Sequence, residues 1–134
     1  MSNSLRILTA VTLITAAIGA NAADAWIEVA ATDRGAWSIK SGSLQFVSNK
    51  SDEPIALVIG RFVNANKGVD LEKWYVRGTD CGRGMGKLVT LTLDGEFKYE
   101  NDFVEDSDDV ASVIATVICG ISDEIIKKTE GKGV

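Results

Sequence analysis

Two cysteines, a basic glycine-rich segment, an acidic cluster and a complete lack of histidine set the chemistry open to this chain. Cys81 and Cys119 are the only cysteines. An even count in a small exported domain implies a disulfide. The alternatives are two free thiols or a metal site, and two cysteines without histidine make a poor zinc site. A bridge closing a loop of this length contributes roughly 3–4 kcal/mol on the chain-entropy model. Without histidine there is no Ser–His or Cys–His nucleophile. A carboxylate pair could serve glycoside hydrolysis, but spacing singles none out. The chain reads as non-catalytic, and nothing in it calls for a cofactor.

Gly82-Arg83-Gly84-Met85-Gly86-Lys87 imitates a phosphate loop. Its glycines are spaced too closely, and Leu88 stands where a Ser or Thr would hold Mg²⁺. A strand pattern follows it, where a dinucleotide site needs a helix. The expectation is a flexible hairpin loop beside the cysteine, with Arg77, Arg83 and Lys87 as a small cationic rim for a partner. Asp102, Glu105, Asp106, Asp108 and Asp109 offer the oxygens that calcium takes. They lack the spacing and internal glycine of an EF-hand loop. They read as the solvated start of a helix, where carboxylates favour the positive end of the dipole. Asn49-Lys50-Ser51 is a glycosylation sequon, relevant only in a host that glycosylates.

The elements that position these residues begin after residue 22. Arg6 is the only charge before a long uncharged run, Ile7 to Ile18 form an apolar core, and Ala20-Asn21-Ala22 is a small-x-small cleavage site. This is the pattern of a secretory signal over 1–22, since spanning a bilayer takes about 20 apolar residues. Ala23 follows the cleavage site in place of a lipid-bearing cysteine. A periplasmic or secreted protein is therefore expected, without membrane insertion after cleavage. The chain carries 14 Lys and Arg against 19 Asp and Glu, a formal net charge of −5. Cleavage after Ala22 removes Arg6 and makes it more acidic. Such a balance argues against nucleic acid and anionic lipid, whose recognition requires cationic surface.

Residues 23–121 read as one α+β domain, and 122–134 as a polar tail with one more helical turn around Ile125 and Ile126. Trp26-Ile27-Glu28-Val29-Ala30, Ala36 to Lys40 and Leu44 to Val47 are strand-like runs. Pro54 opens a strand, where its missing N–H matters least. Ile55 to Val63 is apolar enough to be a central strand buried on both faces for part of its length. Leu71 to Arg77 places Trp74 and Val76 on one face and Tyr75 on the other. Lys87 to Leu93 alternates, and Asp94-Gly95 is a hairpin signal leading to Phe97, Tyr99, Phe103 and Val104. From Asp106 to Ile121 the period becomes helical, with Val110, Val113, Ile114, Val117, Ile118 and Ile121 on one stripe. Asp106 is the expected N-cap, and Gly120 the left-handed residue past the last turn. Cys119 falls off the stripe, beside Ser112, Ala115 and Thr116. That predicts a small-residue face against the sheet near Cys81, leaving the Val/Ile stripe for burial elsewhere, across a homodimer for example. Trp26, Trp37, Trp74, Tyr75, Phe97 and Tyr99 all lie on predicted strands. Most should be core, and one or two left exposed on a sheet face would mark a binding surface.

This arrangement resembles the bacterial surface-adhesin protein E-like family. The matching features are the export signal, the strand led by Trp26-Ile27-Glu28-Val29, and Gly42-Ser43-Leu44 closing a short strand pair. The apolar strand Ile55 to Val63, Trp74-Tyr75-Val76 running into Thr79-Asp80-Cys81, and a C-terminal helix ending in Ile118-Cys119 complete them. The likeness spans nearly all of residues 24–120. It implies an antiparallel sheet of about six strands with the helix clamped to it by the disulfide. It also implies that the domain can dimerise and, for the adhesins, binding of host matrix proteins. The reading is an exported, adhesin-like, protein-binding domain of the bacterial envelope. The alternative is a periplasmic inhibitor or immunity protein holding a toxin or hydrolase, since an acidic domain suits capture of a basic enzyme.

Overall fold

A computed structural model describes residues 25–133, with side chains to residue 129. The expected leader, 1–22, lies outside the described residues.

The period-2 runs fold into strands as their alternation requires. They are β1 (Trp26–Thr32), β2 (Gly35–Lys40), β3 (Gln45–Ser48), β4 (Pro54–Asn64) and β5 (Val69–Arg77). A short helix, α1 (Gly78–Arg83), leads into β6 (Met85–Thr92) and β7 (Phe97–Val104), and α2 (Val110–Gly133) ends the chain. All pairings are antiparallel, in one seven-stranded sheet ordered β1-β2-β4-β5-β6-β7. β3 pairs with the first half of β4, beside the half that pairs with β2.

One face of the sheet carries the core. Ile39, Ala56, Val58, Trp74, Val76 and Leu88 pack there against Ile114, Ala115 and Ile118 of α2. Trp74 is 2% exposed and lies across Gly60 of the neighbouring strand. A Cβ at Gly60 would sit 2.6 Å from the indole, so glycine makes room for the largest core side chain. Ala56, Val58 and Gly60 are buried on the helix side of β4, whereas on the other face only Ile55 is buried and Leu57 and Ile59 stay partly exposed, so burial on both faces is confined to the start of the strand.

The disulfide forms between Cys81 of α1 and Cys119 of α2, with the Cα atoms 5.5 Å apart. It ties the helix to the end of β5. The fold is thus α+β, an antiparallel sheet with a C-terminal helix packed on it and fastened by one bond.

Several local expectations are corrected. Residues 82–87 are not a flexible hairpin loop: Gly82 and Arg83 end the short helix α1, and Met85 to Lys87 already belong to β6. Gly84, at φ 74°, ends the turn in the left-handed conformation, and its N–H bonds the carbonyls of Asp80 and Cys81. The long helix begins after Asp109, not Asp106. Asp106 adopts φ 68° in the turn out of β7, and the chain needs those residues to reverse direction. Asp109 caps instead, its carboxylate accepting the Ser112 N–H at 3.1 Å. The helix also runs through Gly120 to Gly133, so residues 122–133 are helical and not an irregular tail. Finally, α2 buries the boundary between its two stripes. Ile114 and Ile118 from one and Ser112, Ala115 and Cys119 from the other are all buried. The Val/Ile stripe is therefore largely part of this domain's own core.

Candidate functional site

The residues expected to form a cationic rim are brought close together, but each is matched by an acid. Asp80, one residue before Cys81, is fully buried and organises them. Arg77 donates to it through Nε at 3.1 Å and Nη2 at 3.2 Å, and Arg83 through Nη2 at 2.6 Å. The Lys87 N–H adds a fourth bond at 3.2 Å. Arg77 also reaches Glu53, at 3.3 Å. The Lys87 side chain pairs with Asp102 directly across the β6–β7 ladder. Burial opposes ionisation of Asp80, but the Lys87 N–H and the two guanidiniums outweigh it and hold its carboxyl below the usual range. This constellation fastens α1 beside the disulfide. Gly86 passes so close that a Cβ there would lie 2.1 Å from the Asp80 Cγ. Asp80 was not legible as a hub. The only local signal was its i±3 spacing from Arg77 and Arg83, which matters only once the segment is known to be helical.

The acidic cluster also divides. Asp102 pairs with Lys87 and Asp109 caps α2. Among the described residues no group of three or more potential metal ligands converges. Asn49 of the sequon holds its own turn, accepting the N–H groups of Ser51 and Glu53 and donating to the Glu53 carboxylate.

Two other surfaces have the form of sites. The first is the outer face of the sheet, away from α2. Here Leu57, Tyr75, Leu91 and Phe97 line a groove of about 340 Å³ between the β3–β4 turn and the β6–β7 hairpin. Phe97 is 62% exposed. The charged residues lining the groove are Lys50 and Lys73, and neither joins an ion pair among the described residues. Arg61 lies on the same face, stacked 4.6 Å from the Trp26 ring, with its buried Nε lacking a hydrogen-bond partner among the described residues.

The second is on the helix side, past the N-terminal end of α2. A cleft of about 470 Å³ touches Trp37 of β2 and Tyr99 of β7, and a neighbouring one of about 500 Å³ shares both residues and Arg34. In a flat sheet β2 and β7 would stand about 19 Å apart, so the sheet must curl toward the helix to bring them to one cleft. The helix fills one end of the resulting trough and leaves the other as an open mouth. Glu72, at its base, accepts from the Trp74 indole at 3.0 Å and from Lys98 at 2.6 Å. Its bond to Lys98 holds that ammonium above the ordinary lysine range.

No family model, curated protein or solved structure matches this chain. No helix among the described residues is long and apolar enough to cross a membrane.

Proposed function

We propose that this chain is an exported, non-catalytic domain of the bacterial envelope that captures a protein partner on the outer face of its sheet. The observation that carries the proposal is the groove there. It is apolar at its floor, has exposed aromatic surface at its edge, and has Lys50 and Lys73 as its charged lining on a chain of net charge −5. An exposed apolar patch with charges of one sign at its margin is the form of a docking surface. The partner it fits presents acidic groups around an apolar centre. The adhesin-like reading places a matrix protein there. The leader pattern and the disulfide support an oxidising compartment outside the cytoplasm.

A second reading, an inhibitor or immunity protein, is favoured by Glu105, Asp106 and Asp108. These exposed acids join no ion pair among the described residues and offer a basic enzyme a complementary potential.

The test compares wild type with Lys50→Glu/Lys73→Glu and with Glu105→Gln/Asp108→Asn. Each is titrated against purified matrix proteins and against any enzyme crosslinked to it in a periplasmic extract. Docking on the outer face predicts saturable one-to-one binding, weakened by salt and at least tenfold by the lysine reversals. Binding insensitive to those reversals rules the face out. Loss confined to the acidic variant selects the second reading.

A further inference from the structure

The mouth of the curled sheet lies on the opposite side from the docking groove and is unused by the proposed function. We infer that it is a binding site for an uncharged polyhydroxylated ring, that is, a neutral saccharide.

Trp37 and Phe62 make one aromatic wall, their ring centroids 4.7 Å apart. Tyr99, 47% exposed, makes another. The strand order does not by itself bring these rings together, since β2 and β7 are separated by three strands. Concave clefts of a few hundred Å³ with a few convergent polar groups are the usual form of a small-molecule site.

The rings do not form a cage for an organic cation. The protein's own cations lie beside them and would repel a second positive charge, Arg34 at 5.9 Å from the Trp37 centroid and Lys98 at 5.9 Å from that of Tyr99, which itself stays 47% exposed. An anion is disfavoured as well. Lys98 is neutralised by Glu72, and Asp70 and Asp109 also face the two clefts. A wholly apolar ligand would strand these polar groups away from water, each at a cost.

What remains free is a mixed set of donors and acceptors. The side chains of Arg34, Asp70 and Asn101 make no hydrogen bonds to other described residues. Arg34 is donor only, Asp70 acceptor only, and Asn101 is both. A sugar ring has the complementary composition. Its hydroxyls donate and accept at the rim, and one C–H face lies flat on an aromatic ring. Glu72 and Lys98 then act as positioning residues, holding the floor and the Tyr99 side of the mouth.

The test is nitrogen-15 NMR titration, with indole fluorescence in parallel. The probes are neutral cello-, malto- and chito-oligosaccharides, with inorganic phosphate and tetramethylammonium as anionic and cationic comparators. The expected result is saccharide-dependent shifts at Trp37, Tyr99 and Asn101, saturating at or below about 10 mM. Tyr99→Ala should weaken binding roughly three- to tenfold, and Tyr99→Phe, which keeps the ring, should retain it. Arg34→Ala should also weaken it. Both positions are exposed, so thermal midpoints should change little. Lys50→Glu/Lys73→Glu should bind saccharide like wild type, which separates this site from the docking groove. Shifts produced by phosphate or tetramethylammonium in place of sugars would overturn the inference. So would sugar binding unaffected by Tyr99→Ala, or no response to any member of the panel.

Discussion

Cutting the bond between Cys81 and Cys119 should remove a large share of this domain's stability. The residues are 38 apart in sequence. The chain-entropy relation for a loop of that length gives about 13 cal/mol/K, or about 3.9 kcal/mol at 25 °C. At about 4 °C per kcal/mol for a domain of this size, the thermal midpoint should fall by roughly 15 °C. Cys119 is buried at 2% exposure and Cys81 is only partly buried, so Cys81→Ser/Cys119→Ala removes the bond without burying a new hydroxyl. The assay is thermal unfolding by circular dichroism, run on this variant and on wild type with and without reductant. Reduced wild type should fall on the variant's curve. The effect should reach the mouth as well, because the bond anchors the helix whose N-terminal end borders it. A shift below about 3 °C would refute the reasoning, since the core contacts of Ile114, Ala115 and Ile118 would then hold α2 without a clamp.

Asp80→Ala leaves Arg77 and Arg83 without their shared carboxylate and should cost about 3 kcal/mol, near the low end for broken buried pairs because both arginines are partly in water. Urea unfolding measures it, and an unchanged midpoint would remove Asp80 from its central role. Asp80 and Asp109 both have carboxyls held below the usual range, so the unfolded chain binds their protons more readily. Their contribution is complete above the unfolded value of about 3.9 and is lost as pH falls through the folded values. The thermal midpoint should therefore decline below about pH 4, and less steeply in Asp80→Asn. Gly86→Ala drives a methyl into the Asp80 carboxylate and should destabilise by about 3 kcal/mol or prevent folding, read as loss of the cooperative unfolding transition. Asp109→Ala removes the cap of α2 and should cost about 1 kcal/mol by urea unfolding, with no effect on the disulfide.

The strands were legible because each one's evidence is local. Trp74 and Val76 alternate with Tyr75, and the sheet places the first two in the core and the third on the outer face. The helix was legible as a period, but its start was not. The sequence pointed to Asp106 as the cap, but Asp106 is taken up by the turn that β7 needs, and Asp109 caps the helix three residues later. The glycine-rich segment looked flexible because glycine permits many conformations. Asp80 and the disulfide fix it as the end of α1 and the start of β6, and neither contact can be read from the segment's own pattern.

The sequence by itself determined the class of fold, the pairing of its only two cysteines and the faces of most strands. All three follow from residue type and short-range period. The tertiary structure alone decided where charge survives. Arg77, Arg83 and Lys87 look like a cationic rim until burial of Asp80 and the β6–β7 register supply their counter-ions, while Lys50 and Lys73 keep theirs open. It alone decided that Trp37 and Tyr99, separated by most of the domain's length, share one cleft. Curvature of a sheet is the sum of many small twists between strands, and no single strand's sequence carries that sum.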